Sequence, residues 1–224
     1  MYILYGGKYT RSTGPQMILE EARLPYELRE IDITKDEHRT AEFLAINPAG
    51  YIPALITPEG DTLHEAAAIM LYLADRHGLY DLVPPPDSVE RGMFYTKFFY
   101  LCNDIQPAMK CYYYPSRYST DPADTDCIRD KAFEAARDRW GVIERYLAEN
   151  GPCHMGAKMG LCDYLMAVWA AFGFDDGYNI MDDHPAIRAC YALVREKPVI
   201  KPLLLGIENV RQDYLVVKVE HESS

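Results

Sequence analysis

The residues best suited to bind a small ligand fall in two neighbouring segments of the chain. The first runs from Asn47 to Leu55 and places the Ile52-Pro53 bond directly before a short apolar stretch. Proline has no N–H to give to a strand ladder, and a cis peptide that exposes the backbone of Ile52 is one reason for such a position. Ile52 would then offer its own N–H and C=O to an extended peptide ligand, as an added strand does.

The second segment, Leu63 to Ile69, leads from a strand into a helix that begins at the acidic Glu65. The free N–H groups and the dipole at a helix N-terminus attract a carboxylate, and an acidic side chain at that position attracts an ammonium group. Taken alone, Glu65 would be a simple helix cap. With Ile52-Pro53 just upstream, a binding role is favoured.

The elements that must hold these segments follow from the hydrophobic pattern. Residues 26–33 alternate between apolar and polar types, which predicts a strand, and residues 65–77 carry apolar side chains on one helical face before the stop at Gly78. The other elements expected here are strands at 2–5, 54–57 and 61–63 and helices at 15–22 and 40–45. The order βαβαββα is the thioredoxin-like α/β arrangement, without its C-x-x-C motif.

The second half of the chain predicts helices only. A stiff run, Pro84-Pro85-Pro86, marks a boundary, and apolar residues after it recur at steps of three and four. We expect an α/β domain over 1–78, a proline-rich linker over 79–88, an all-helical domain over 89–211 and an unassigned tail over 212–224. Residues 89–114 predict one long helix, or two that join near Pro107, and Pro185 and Pro198 are expected to open two further short helices.

The two ligand-binding segments resemble the glutathione S-transferase family, in which the patterns read N-P-x-G-x-(V/I)-P-A-L and L-x-E-S-x-A-I. The resemblance covers about residues 2–208 and is nearest to the serine-type phi and theta classes, with the class unresolved. It implies a bacterial-type cytosolic transferase: a thioredoxin-like N-terminal domain, an all-α C-terminal domain, a homodimer and a detoxifying role.

The resemblance also implies which residues hold glutathione. These are His38, Tyr51, Ile52, Pro53, Glu65 and Ala66. The family usually has serine where this chain has Ala66, so one hydroxyl donor is lost, at a cost of about 1–3 kcal/mol to the bound carboxylate. His38 matches a G-E-H motif that holds the glycyl end, and Arg39 is an alternative.

The group that activates the glutathione thiol is left open by the sequence. An alignment anchored on the first strand puts Thr10 at the catalytic serine position, and one anchored on the first helix puts Tyr9 there. Ser12 lies where cysteine-type relatives have a serine beside their cysteine, and Arg11 replaces that cysteine, which disfavours thiol exchange. We expect the Thr10 and Ser12 pair to act, with Tyr9 next.

The implied reaction is conjugation of the glutathione thiolate to a hydrophobic electrophile. The tyrosine-rich segment 109–118 corresponds to the helix end that lines the electrophile pocket in the family, and we assign Tyr112 and Tyr113 to it. The alternatives are a glutathione-dependent peroxidase, dehalogenase or isomerase, or a non-catalytic binding module with the same fold.

Composition excludes several other classes of function. The net charge of −11 repels phosphate backbones and anionic lipid surfaces, so we expect neither nucleic acid nor membrane as a partner. The six cysteines include no C-x-x-C pair and no neighbouring histidine cluster, so we expect no metal site and no redox dithiol. The sequence therefore predicts a soluble, cytoplasmic protein with free thiols.

Overall fold

The computed structural model describes residues 1–222, and its N-terminal part is a four-stranded mixed sheet with three helices. The elements are β1 Tyr2–Gly6, α1 Thr13–Glu21, β2 Tyr26–Glu30, α2 Ala41–Ile46, β3 Ala54–Ile56, β4 Thr62–His64 and α3 Ala66–Arg76. The strand order is β2-β1-β3-β4, with β1 parallel to β2 and the other two pairs antiparallel. The predicted thioredoxin-like order βαβαββα is confirmed.

The segment between β2 and α2 differs from the prediction, because β2 ends at Glu30 and not near residue 33. The Asp32 carboxylate accepts a hydrogen bond from the Thr34 N–H at 2.9 Å, which turns the chain into two 3-10 segments, Ile33–Lys35 and Glu37–Arg39. Thr40 then caps α2 by accepting from the Phe43 N–H. His38 lies in the second of these two turns.

Helices α1 and α3 pack closely on one face of the sheet. A Cβ atom at Gly14 would lie 2.8 Å from the Met70 sulfur, so the absence of a side chain there allows the start of α1 to approach α3. Met17, Ile18 and Ile69 are fully buried between the two helices. This contact fixes the N-terminus of α1 beside that of α3.

The C-terminal part is all-helical, as predicted. Its helices are α4 Glu90–Tyr100, α5 Gln106–Tyr113, α6 Thr125–Asn150, α7 Leu161–Phe172, α8 Pro185–Arg195 and α9 Lys201–Glu222. A π-helical segment, Leu101–Ile105, joins α4 to α5. The junction predicted near Pro107 is therefore a few residues too late in the chain. Pro107, which has no N–H to donate, sits in the first turn of α5, directly after the π-helical segment.

Helix α7 is buried along its whole length and forms the centre of the helical part. Its start is held by Asp163, whose carboxylate accepts from the N–H groups of Gly160 and His154 at 2.8 Å each. The same carboxylate bonds the His154 ring at 2.8 Å. Asp163 thus caps the start of α7 through backbone N–H groups of two segments.

The linker is tied to both parts of the molecule by Arg91. This buried guanidinium bonds both oxygens of Asp75, at 2.8 and 2.6 Å, and the carbonyl of Pro84 at 2.7 Å. The end of α3 is therefore fixed against the start of α4. The domain boundaries 1–78, 79–88 and 89–211 stay predictions.

The end of the chain was left unassigned by the sequence. The structure continues α9 as far as Glu222, and Ser223 and Ser224 of the predicted tail lie outside the described residues. Among the helices of residues 1–222, none has the length and apolar character needed to cross a membrane.

Candidate functional site

A cleft of about 410 Å³ opens between the sheet part and the helical part. Its sheet side includes Tyr9, Thr10, Arg11, His38, Tyr51 and Ile52. Its helical side is formed by Lys110, Tyr113, Tyr114, Arg117, Trp169 and Phe172. The cleft therefore joins residues that are far apart in the sequence.

The two hydroxyls favoured from the sequence bond each other and the preceding loop. Thr10 Oγ1 and Ser12 Oγ are 2.8 Å apart, Thr10 donates to the Gly7 carbonyl at 2.8 Å, and the Gly7 N–H donates to Ser12 Oγ at 3.2 Å. Their exposed fractions are 7% and 2%. Thr10 lines the cleft, whereas Ser12 lines a second cavity of about 180 Å³ beside α9.

The third candidate, Tyr9, has a left-handed backbone with φ 55° and faces the helical part. Its ring packs edge-on against Phe172 at 4.9 Å, and its hydroxyl donates to the Phe172 carbonyl at 3.5 Å. The neighbouring Tyr113 hydroxyl donates to the Gly173 carbonyl at 2.5 Å, and burial together with Tyr9 raises the pKa of Tyr113. The Tyr9 hydroxyl is therefore already engaged at the helical wall.

Three side chains of the cleft each carry a buried polar atom with no hydrogen-bond partner within the described part of the chain. These atoms are Arg11 Nη1, His38 Nδ1 and Trp169 Nε1. A buried polar group without a partner costs about 1–3 kcal/mol, so three of them in one cleft call for an explanation. A polar ligand that bonds all three would supply it.

Arg11 is the residue that sequence reasoning missed. Burial lowers the pKa of its guanidinium, and the nearby Glu65 carboxylate opposes that shift. Burial and Glu65 also raise the pKa of Cys102 to about 11, while Arg11 lowers it. Arg11 thus lies just before α1 as a half-buried cation, with Nη1 inaccessible to solvent, whose charge interacts with that of Glu65. The available signal was the replacement of the family's cysteine by a large cation.

The two segments found from the sequence lie side by side, because Ala54 pairs with His64 across β3 and β4; Tyr51 and Ile52 line the cleft, whereas Pro53, Glu65 and Ala66 are not among its lining residues. The Ile52-Pro53 bond is cis, and the Ile52 N–H has no hydrogen-bond partner within residues 1–222. Glu65 precedes α3 with φ 65° and ψ 116°, a backbone conformation that costs a non-glycine residue about 1–3 kcal/mol. The exposed Glu65 and the buried Ala66 stand where the first free N–H groups of α3 begin.

The His38 end of the cleft is built on a turn held by Asn47. The Asn47 side chain donates to the Tyr51 carbonyl at 2.6 Å and accepts from the Ala49 N–H at 3.1 Å. The Tyr51 ring lies between two cations, with Arg39 at 5.6 Å and Lys110 at 5.0 Å from its centroid. Both parts of the molecule therefore supply positive charge beside Tyr51.

The two tyrosines assigned to the electrophile pocket are separated by the structure. Tyr113 lines the cleft, together with Tyr114. Tyr112 is buried in the helical core, where its hydroxyl donates to Asp175 and its ring packs against Phe174. The cleft wall therefore uses the face of α5 that carries Lys110 and Tyr113.

One group elsewhere brings together ligand atoms of the kind that bind metals. Cys153, Asp163 and Cys190 are buried with their ligand atoms within 4.8 Å of one another. Burial and Asp163 raise the pKa of Cys153 to about 11, and burial and Asp163 also raise the pKa of Cys190. The Asp163 oxygens already accept from His154, Gly160 and Cys190, so this group fits a core hydrogen-bond network better than a cation site.

Known proteins resemble this chain over most of its length. Residues 11–76 match the family model of the glutathione S-transferase N-terminal domain. The glutathione S-transferase-like protein gedE of Aspergillus terreus is 28% identical over 204 residues, which cover 84% of this chain and 87% of that protein.

Solved structures share the fold. A glutathione transferase homologue from Sulfitobacter, with bound glutathione, has a TM-score of 0.82 at 24% identity and covers 91% of this chain and 96% of its own. A glutathione transferase of Phanerochaete chrysosporium, with oxidized glutathione, has a TM-score of 0.79 at 21% identity, with 94% and 96% covered. The α/β part followed by the helical part is thus common to all three chains.

Proposed function

We propose that the chain is a glutathione S-transferase, as its similarity over residues 11–76 and to gedE supports, and that it conjugates the thiolate of glutathione to a hydrophobic electrophile in the cleft. The observation that carries this proposal is the set of three unpartnered polar atoms on Arg11, His38 and Trp169. They belong to residues of the cleft that Ile52 also lines.

Each part of the tripeptide has a matching group. The γ-glutamyl carboxylate binds the free N–H groups at the start of α3, including that of Ala66, and its ammonium binds Glu65. The cysteinyl residue pairs with the Ile52 backbone, which cis Pro53 follows. The glycyl carboxylate binds His38, with Arg39 and the Tyr51 hydroxyl beside it. The similar structures with bound glutathione and oxidized glutathione support glutathione as the ligand.

The thiol loses its proton beside the N-terminus of α1. The helix dipole favours the anion there, and the unpartnered Arg11 Nη1 supplies a charge-assisted hydrogen bond. Thr10 lines the same wall and is the proposed hydroxyl residue nearest to the bound thiol. Ser12 Oγ lies 2.8 Å from Thr10 Oγ1 and fixes the Thr10 rotamer. Tyr9 and Tyr113 shape the far wall, where the electrophile enters.

The reaction then needs no further reagent. The thiolate sulfur attacks an electrophilic carbon, a C–S bond forms, and the leaving group departs with the electron pair of its own bond. The thiol proton passes to solvent before the attack.

We also propose a homodimer, because α4 leaves Val89, Met93 and Phe99 exposed on its surface.

The test is a calorimetric titration with glutathione at neutral pH on the parent protein and on Glu65→Ala. We expect the parent to bind, and the variant to bind at least about tenfold more weakly, since a charged partner is worth about 1.5–3 kcal/mol. Glu90→Ala is the matched control, because Glu90 is also an exposed acid at a helix start. If the parent does not bind glutathione, or both variants bind like the parent, the proposal is wrong.

A further inference from the structure

The cleft concentrates positive charge in an acidic protein. Its lining includes Arg11, Arg39, Lys110 and Arg117, with Asp36 as the acid on its rim, although the whole chain has a net charge of −11. None of these four cations takes part in an ion pair formed within residues 1–222. Unpaired like charges repel one another, so the cleft is suited to more than one anionic group.

Glutathione, bound as proposed above, neutralises only part of this charge. The glutathione thiolate binds Arg11, and the glycyl carboxylate binds His38 and Arg39. The γ-glutamyl carboxylate binds the start of α3, and the ammonium group binds Glu65. Lys110 and Arg117 have no assigned partner in glutathione, and both belong to the helical wall, Lys110 in α5, 5.0 Å from the Tyr51 ring, and Arg117 in the turn that follows α5.

The same wall is aromatic. Trp169 and Phe172 come from α7, and Tyr113 and Tyr114 come from the end of α5. Arg117 lies over the Tyr114 ring at 4.1 Å from its centroid. Trp169 is only 4% exposed, and its Nε1–H lacks a partner in the described part of the chain. Flat apolar surfaces bind an aromatic ring, while the cations and the indole N–H bind acceptor oxygens.

We infer that the electrophile is an aromatic compound that carries a carboxylate. Its ring packs on Trp169 and Phe172, and its carboxylate binds Lys110 and Arg117. This inference rests on the proposed function, since it names the second substrate of the same cleft. With an aryl halide of this class, the thiolate sulfur bonds to the ring carbon, the C–halogen bond breaks, and halide leaves with its electron pair.

The test uses two matched conjugates of glutathione, which bind whether or not the protein turns over. One carries a dinitrophenyl ring with a carboxylate, and the other carries the same ring with a neutral carboxamide. Calorimetry gives the dissociation constant of each, and of glutathione itself, at low and at high salt. We expect the acid conjugate to bind at least about tenfold tighter than the amide at low salt, and the difference to shrink as salt screens the exposed Arg117.

Variants assign the preference to the wall. The double variant Lys110→Gln with Arg117→Gln should lose the preference for the acid while it keeps the affinity for glutathione. Trp169→Phe keeps the ring surface and removes the N–H, so it should weaken both conjugates more than it weakens glutathione. Lys158→Gln is the control for a lost positive charge, because Lys158 is exposed and pairs with Asp81 far from the cleft lining.

The outcomes separate this inference from the proposed function. If glutathione does not bind, the proposed function fails and the inference fails with it. If glutathione binds but the acid and amide conjugates bind equally, only the inference is overturned. It is also overturned if the double variant weakens glutathione and both conjugates by the same factor, because Lys110 and Arg117 would then belong to the glutathione subsite.

Discussion

Replacement of Arg11 by methionine should make the protein more stable and the site less active. The half-buried Arg11 has one inaccessible guanidinium atom, Nη1, without a partner in the part of the chain described by the structure, and such an atom costs about 1–3 kcal/mol. Methionine fills a similar volume with a flexible apolar side chain. The free energy of unfolding of Arg11→Met should therefore rise by about 1–3 kcal/mol. Arg11 would then be a functional residue that lowers the stability of the protein.

The same change should raise the pKa of the bound thiol. A hydrogen bond from a charged donor is worth about 1.5–3 kcal/mol, and 1.36 kcal/mol corresponds to one pH unit, so the pKa should rise by roughly 1 to 2 pH units. Lowering a thiol from its ordinary value of about 8.5 toward neutrality is the purpose of the cation. Without it, the bound thiol is mostly protonated at neutral pH.

Two assays measure the two effects. Urea unfolding gives the free energy of unfolding, and the thiolate absorbance of the glutathione complex, followed against pH, gives the pKa. Arg188→Met is the control, because Arg188 is an exposed arginine on α8. A loss of stability in Arg11→Met, with an unchanged thiol pKa, would mean that Arg11 is a structural residue, and the reasoning on the unpartnered atom would be refuted.

Three other substitutions test the remaining parts of the account. Asp163→Asn should lower the free energy of unfolding by about 3–5 kcal/mol, because it leaves buried donors of His154 and Gly160 without their charge partner. Burial raises the pKa of Asp163, but hydrogen bonds from His154 and Gly160 outweigh it and hold the pKa below its usual value. The stability that this carboxylate contributes is therefore present above a pH of about 3.9 and lost as the pH falls through the lower, folded value. Acid unfolding of Asp163→Asn should lack that loss, and an identical acid transition in parent and variant would contradict it. Glu65→Gly should raise the melting temperature, since it relieves a backbone strain of about 1 kcal/mol at φ 65°. The same variant should bind glutathione more weakly. A lower melting temperature would show that the strain is absent. Phe99→Glu should convert the proposed dimer to a monomer in light scattering, because Phe99 is half exposed on α4, and an unchanged mass would rule out this face as the interface.

The fold was predictable because its signals are local. The helix expected at 40–45 is α2, Ala41–Ile46, and Gly78, named as the stop signal, follows the end of α3 at Arg76. The early end of β2 was missed because the alternation continues to residue 33, whereas the Asp32 side chain turns the backbone by bonding Thr34. The π-helical segment before α5 was missed because the sequence signal, Pro107, lies after it. Pro107 indicates the start of a helix, whereas the π-helical turns are at Leu101–Ile105.

The candidate site was predictable only where a backbone pattern encodes it. Ile52-Pro53 and Glu65 are visible in the sequence, because each depends on the residues beside it. The burial of Arg11 depends on packing between distant parts of the chain, and Trp169 reaches the cleft only because α7 lies beneath it. The direction of Ser12 was also hidden, since two hydroxyls in one loop can face opposite cavities.

The most direct test of the central claim is a crystal structure of the protein with glutathione. The account predicts the cysteinyl backbone paired with Ile52, the γ-glutamyl group at Glu65 and Ala66, and the sulfur within hydrogen-bond distance of Arg11 Nη1. Glutathione bound elsewhere, or bound in this cleft with its sulfur turned away from Arg11, would contradict the account.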